Sequence, residues 1–336
     1  MITAAVKVAD RNELTRSRSR QRLRSTGLLL TVALLVLAGA VAGCSSLPKS
    51  APGATAVKNQ AAAYAAQGNS YYQQGNYVQA EKFFKLALDS NFSVDNRVGI
   101  SSSYTSLGRV YLAAGDTRTA GAAFEDAIRY ASPATTPDKE TLVLDAETGK
   151  AEILLVQGRY ENALDLLLTA EKRPAPPETA QRAALLHDVG AAYKGLGDYS
   201  SALTYLNQAR EAHVRLKLVS LEASDLYMIA SVYSKQGDYS SALAYANQAL
   251  EMDKLIENSL GIGSDLRALG IISEKQAKLQ DAYDYYYSSL QVFRTLGMAA
   301  EVQNLLGALE PLARRLGKTK EAATFADALK QMGTSK

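Results

Sequence analysis

Gly197–Leu203 reads GDYSSAL, and Gly237–Leu243 reads GDYSSAL again. In both copies Asn-Gln-Ala follows at the same offset, at Asn207–Ala209 and Asn247–Ala249. A glycine that adopts the left-handed conformation ends one helix. Asp-Tyr-Ser-Ser then opens the next helix, and Ala-Leu packs where the two cross. The phrase belongs to a longer period. Alanine recurs at Ala80, Ala120, Ala163, Ala202, Ala242, Ala282 and Ala322, in steps of 40, 43, 39, 40, 40 and 40 residues. Five residues ahead stand Gly75, Gly115, Gly158, Gly197, Gly237 and Gly317, with Ala277 the exception. A period of this size means a stacked repeat array.

Other columns show what is repeated. Twelve residues before the alanines the chain is small through six units: Gly68, Gly108, Ala151, Gly190, Ala230 and Gly270. Apolar residues flank each turn glycine at helical spacing, which predicts two amphipathic helices per unit. The small columns let helix axes approach to roughly 8–10 Å. One hairpin cannot bury both of its faces, so each unit needs its neighbours.

With these columns in place the chain resembles the tetratricopeptide repeat. Tyr104-x-x-Leu107-Gly108-x-x-Tyr111, then Gly115, Ala120, Phe124 and Ala127, follows that pattern nearly throughout. The usual repeat is about 34 residues, so a forty-residue unit implies longer helices. The resemblance covers 60–336 and implies an all-α, right-handed superhelical solenoid of six to seven hairpins. The units are expected near 61–94, 101–134, 144–177, 183–216, 223–256 and 263–296, with a degenerate cap at 303–336. The third unit is three residues late, and the surplus is expected in the loop around 131–140. Pro174, Pro176 and Pro177 are read as an ordinary turn between units. Pro311 is expected to kink or split the first helix of the cap, where Glu310 also enters the small column.

The N-terminal region is of another kind. Residues 1–43 carry seven of the 37 basic residues and two of the 34 acids, leaving the remainder at a net charge of −2. No broad basic field remains for nucleic acid. The basic cluster precedes an uncharged run at Gly27–Gly43, the pattern of a secretory signal peptide. Val41-Ala42-Gly43-Cys44 resembles the lipobox of bacterial lipoproteins, which implies lipidation of Cys44, the protein's one cysteine. Residues 44–59 are small and polar and read as a flexible tether. The resemblance implies a lipid-anchored protein of the cell envelope. By Gram-negative sorting rules, Ser45 directs it to the outer membrane, facing the periplasm.

Catalytic chemistry is not legible. His187 and His213 are the two histidines, and no nucleophile or carboxylate is tied to either by a known spacing. Both are read as partly exposed helix residues. No metal ligand set, cofactor or enzymatic activity is expected. Gly261-Ile-Gly263 lacks the third glycine of a dinucleotide loop, since Leu266 stands there.

The family pattern puts the first helix of each unit along a concave groove. It places Asn69, Tyr72, Thr105, Arg109, Thr148, Glu152, His187, Lys194, Tyr227, Ser231, Arg267 and Glu274 there. Chaperone-binding relatives clamp a C-terminal carboxylate, but Ala65 and Asp145 replace clamp residues here and leave Asn69 alone. The expected function is therefore a protein-interaction scaffold or assembly factor that binds a segment of an envelope protein. The alternative is an accessory of periplasmic solute uptake, associated with a solute-binding protein. The oligomeric state is left open. Replacing Arg109 and Tyr227 with alanine is expected to weaken partner binding and leave melting almost unchanged.

Overall fold

A computed structural model describes residues 53–131, 138–174, 176 and 178–333. Among them are fourteen α-helices and no strand. They pair as seven hairpins: α1 (Ala54–Gln73) with α2 (Tyr77–Ser93), α3 (Arg97–Ala113) with α4 (Thr117–Ala131), and α5 (Asp138–Val156) with α6 (Tyr160–Glu171). Next come α7 (Ala180–Leu196) with α8 (Tyr199–Arg215), and α9 (Val219–Gln236) with α10 (Tyr239–Leu255). The series ends with α11 (Ser259–Lys275) beside α12 (Leu279–Thr295), and α13 (Ala299–Arg315) beside α14 (Thr319–Gly333). Each helix packs on its neighbours in sequence, so the array is a solenoid. Seventeen-residue helices such as α2 and α3, joined by three-residue turns, account for the forty-residue period.

The repeated phrase is a turn that serves two helices at once. Gly197 has φ +82°. Its N–H donates to the Lys194 carbonyl, and the Asp198 N–H donates to the Tyr193 carbonyl, closing a Schellman motif on α7. Asp198 is also the N-cap of α8. Its Oδ1 accepts from the Ser201 N–H at 3.1 Å and its Oδ2 from the Ser201 hydroxyl at 2.7 Å. Asp238 and Ser241 repeat this at 3.1 and 2.6 Å. Ala277 takes the same left-handed conformation, φ +61°, without being glycine.

The small column sits where the two helices of a hairpin cross. A Cβ added at Gly68, Gly108, Gly190 or Gly270 would come within 2.8 Å or less of Phe84, Phe124, Leu206 or Tyr286 respectively. Each partner lies sixteen residues on, and the pairs compensate. Where the first helix carries alanine, the partner is no larger than leucine, Leu167 for Ala151 and Ala246 for Ala230, whereas three of the four glycines face an aromatic ring. The glycines of the Gly261–Gly263 stretch likewise lie inside α11, pressed against Asp253 and Phe293.

Several boundaries differ from expectation. α1 begins at Ala54, so residues 54–59, read as tether, are helical. The run Ala54 to Ala63 is rich in alanine, the best helix former, and nothing in it stops the helix. Signal peptide, lipobox and residues 44–52 of the tether lie outside the described residues, as do 132–137 of the loop around 131–140 where the third unit's surplus is expected. Pro311 does not split α13, which runs unbroken to Arg315. The carbonyl that proline leaves free belongs to Gly307, an exposed residue without a side chain, so water can satisfy it. Glu310 pairs with Arg314 at the edge of this last hairpin.

First helices of successive hairpins touch one another, α3 with α5, α5 with α7 and α9 with α11, and so form the inner, concave wall. The superhelix then returns on itself. A Cβ at Gly75, in the first hairpin's turn, would lie 3.1 Å from the sulfur of Met298, just before α13. The end of α1 also borders a cavity of about 500 Å³ whose other walls are the turns at Lys217–Ser220 and Ile256–Asn258.

Candidate functional site

On the concave wall, α3 presents Arg109 toward α5. Asp145 and Glu152 are seven residues apart, two helical turns, and so share one face of α5. The guanidinium bridges them, with Nη2 2.9 Å from Asp145 Oδ1 and Nε 3.2 Å from Glu152 Oε1. Burial alone would favour a neutral Arg109, but the two carboxylates outweigh it and hold the cation firmly protonated. Arg109 is therefore a rung between hairpins and not a free groove residue. This corrects the expectation that Arg109→Ala would leave melting unchanged, because it would strand two carboxylates.

Beside this bridge, His187 from α7 and His213 from α8 converge on Asp225 from α9. His187 Nδ1 lies 2.7 Å from Asp225 Oδ1, and His213 Nδ1 lies 2.6 Å from Oδ2. Asp225 is fully buried and His213 is 2% exposed, so His213 is not the partly exposed residue expected, whereas His187 is, at 17%. An ionised carboxylate only accepts, so both imidazoles offer it Nδ1–H. Burial pulls the His187 pKa down, yet the hydrogen bond and charge of Asp225 raise it overall. The Nε2 of His213 is buried without a partner.

Arg109, Asp145, Glu152 and both histidines line a cavity of about 500 Å³ together with Tyr72 of α1 and Asp188 of α7, with Asp225 behind the imidazoles. Asp188 makes no hydrogen bond. Burial, then the charge of Glu152, push its carboxyl up to about 7, against the pull of His187 and Arg109. Burial and Glu152 likewise raise the Tyr72 hydroxyl.

The structure thus brings Tyr72, Arg109, Glu152 and His187 to one place. Lys194 and Ser231 meet separately, 3.3 Å apart between α7 and α9, and burial holds the Lys194 amine below its usual range. Arg267 is spent on Glu301 of α13 at 2.5 Å. Asn69 stands exposed at the end of α1, and Tyr227 is half-buried on α9. Thr105 and Thr148 are not groove residues. Both are buried, with hydroxyls bonded to carbonyls one turn back. Among the described residues, no group of His, Cys, Asp and Glu is arranged to hold a metal ion.

Asp188, His213 and Asp225 are the site residues that sequence reasoning missed. One signal was available. His213/Asp225 and Asp253/Asp265 occupy the same two columns of successive repeats, and at three other junctions those columns hold Asn91/Ser103, Ala131/Ala146 and Phe293/Leu305. All ten side chains are buried. Charged residues in columns that elsewhere hold alanine, phenylalanine and leucine mark these repeat junctions as unusual.

Family models of the tetratricopeptide repeat match residues 59–132 and 181–255, and a second such model matches 105–178. The chain belongs to the tetratricopeptide-repeat family. A search of curated proteins found no match. Among solved structures, this tetratricopeptide-repeat protein is similar to a Rap protein complexed with competence and sporulation factor. The two are 18% identical over 82% of this chain and 75% of that one, with a TM-score of 0.61. It is similar also to the Rap conjugation gene regulator of plasmid pLS20 in complex with the Phr* peptide, at 15% identity, 81% and 74% coverage and TM-score 0.61. NprR in complex with its cognate peptide NprX follows at 18%, 83% and 78%, and 0.53. Identities this low establish the shared solenoid and nothing of its chemistry.

Proposed function

We propose that this protein is an interaction scaffold whose concave groove binds an extended segment of a partner protein, and that lipidation of Cys44 holds it at the cell envelope. The observation that carries the reading is the cavity on the inner wall. Five hairpins contribute to its lining, and its volume lies within the roughly 300–1,000 Å³ of ligand sites. A surface assembled from several repeats recognises a chain through distributed contacts. The peptide complexes of the Rap and NprR neighbours accord with such a use of the solenoid. The small residues ahead of Cys44 support anchoring, and Ser45 supports delivery to the outer membrane of a Gram-negative cell.

The test is crosslinking of the tagged protein in living cells followed by mass spectrometry, with Cys44→Ser as the control. One or two envelope proteins recovered with the wild type, and depleted from the control, are the expected result. With no protein enriched, the scaffold reading falls. The cavity would then be assigned to a small solute, which a ligand-induced rise in melting temperature would reveal.

A further inference from the structure

We propose that the concave cavity takes a primary ammonium or guanidinium group of the bound segment, seated between Asp188 and His213. This deepens the reading of the groove as a site for a protein segment, and rests on it.

Most charged groups of the lining already have partners. Arg109 is committed to Asp145 and Glu152. Asp225 is committed to two imidazoles at its two oxygens. Among the acids and imidazoles of the lining, two groups then remain without a hydrogen-bond partner. One is the carboxyl of Asp188. The other is the Nε2 of His213, a nitrogen shut away from solvent on a side chain that is 98% buried. With Nδ1–H given to Asp225, a neutral His213 keeps its lone pair at Nε2, so both leftover groups are acceptors. The buried Nε2 is costly to leave without a donor, and a ligand that brings N–H groups would meet it and the Asp188 carboxyl at the cavity wall.

Net charge points the same way. Three carboxylates line the cavity, Asp145, Glu152 and Asp188, and a fourth, Asp225, lies behind its imidazoles. Opposing them are one guanidinium and two imidazoles. Even with both imidazoles protonated the acids are in excess, which disfavours phosphates and C-terminal carboxylates and favours a cation. The upward push on the Asp188 carboxyl comes from burial and from Glu152, and an ammonium brought alongside would reverse it. A cavity of about 500 Å³ has room for a lysine or arginine side chain with some adjoining backbone. Tyr72 and Glu152 would border its stem.

The test uses the purified full chain and hexapeptide mixtures with one position fixed as Lys, Arg, norleucine or Glu, each with a free or an acetylated amino terminus. Lys and Arg, or the free terminus, should bind about tenfold or more tightly than the norleucine and acetylated forms. The two series separate a side-chain cation from a terminal one. Asp188→Asn should abolish that preference while leaving the chain at least as stable as wild type near pH 7, since burial and Glu152 already disfavour the charged carboxyl. Asp281→Asn, on the exposed face of α12, should keep it.

A second measurement is independent of any variant. At about pH 7, binding of a cationic peptide to the wild type should expel a proton from Asp188. Calorimetry in two buffers of different ionisation heat reads that proton, and the norleucine peptide should expel none. Peptides that bind with no preference for a cation, or a preference that survives Asp188→Asn, would overturn the ammonium site and leave the groove reading standing. If no peptide binds in either series, both readings fall.

Discussion

At Gly108 the first and second helices of the second hairpin cross at their closest. A Cβ there would stand 2.6, 2.8 and 2.8 Å from three carbons of the Phe124 ring. The ring cannot retreat, because on its other side a Cβ at Gly149 of α5 would lie only 2.3 Å away. Phe124 is fully buried between two glycines on two different helices. Gly108→Ala should therefore incur an overpacking penalty at the upper end of the usual range, about 3 kcal/mol. Alanine's better helix propensity returns about 1 kcal/mol, for a net loss of about 2 kcal/mol. In a domain of this size that lowers the melting temperature by about 4–8 °C. Gly121→Ala is the matched control. Its Cβ would meet Ile153 at 3.8 Å, ordinary contact, so only the propensity gain of up to about 1 kcal/mol should appear.

The repeats themselves suggest the rescue. Ala151 faces Leu167 in the third hairpin, so Phe124→Leu should make room for alanine at 108. Alone, Phe124→Leu leaves a void between the glycines and is destabilising. Together the two changes should cost less than their sum, with a coupling of about 1 kcal/mol or more. The assay is helicity against temperature and against urea for all four chains. A Gly108→Ala protein as stable as wild type, or losses that simply add, would refute the account of the small column as a steric fit.

Two further expectations concern backbone and charge. Ala277→Gly should stabilise by about 0.5–1 kcal/mol, since left-handed strain of about 1–2 kcal/mol is relieved against a smaller entropic cost of glycine; an unchanged melting temperature would show that Ala277 sits there without strain. Asp253 and Asp265 are buried against each other at the junction of α10 and α11, and burial, then the charge of Asp253, push the Asp265 carboxyl up to about 8. A folded-state pKa raised this way means that the folded chain holds the extra proton. The contribution of this pair should therefore be fully present below the unfolded carboxylate pKa of about 4 and be lost as pH rises toward about 8. Asp265→Asn should remove that slope and melt later than wild type near pH 8, and a wild type whose melting temperature is flat from about pH 5 to about pH 8 would contradict the pairing.

The solenoid was legible because its causes are periodic. Turn glycines, small crossings and the alanine column each follow from one local requirement repeated, and a single chain displays each requirement several times. The left-handed turns between hairpins were not legible, because Asp95, Lys217 and Glu257 fill a role that only Gly297 fills with a glycine. Their conformation is imposed by the packing of the hairpins on either side, so the residue type carries no mark of it. The continuity of α13 through Pro311 depended on a residue four positions away, Gly307, facing water. Period counting does not register that pairing.

The site was only half legible for a related reason. Columns report what every repeat needs, whereas a binding site is made where repeats differ. Arg109, Asp145 and Glu152 sit in no shared column, yet α3 and α5 bring them within 3.2 Å. His213 and Asp225 stand in shared columns but break them, and they do so where the cavity lies. At other junctions those two places hold side chains that pack or satisfy one another, such as Phe293 with Leu305 or Asn91 with Ser103. Two of these pairs recruit a third group from the adjoining turn, Asn96 to Asn91 and Asn258 to Asp253, whereas between the fourth and fifth hairpins the third group is His187, from the groove wall. The buried junction and the concave surface are there one network, so charge brought to the groove is felt at the hinge between two repeats. A solenoid built this way can tie recognition in its groove to the packing of its hairpins without any residue outside the repeat pattern.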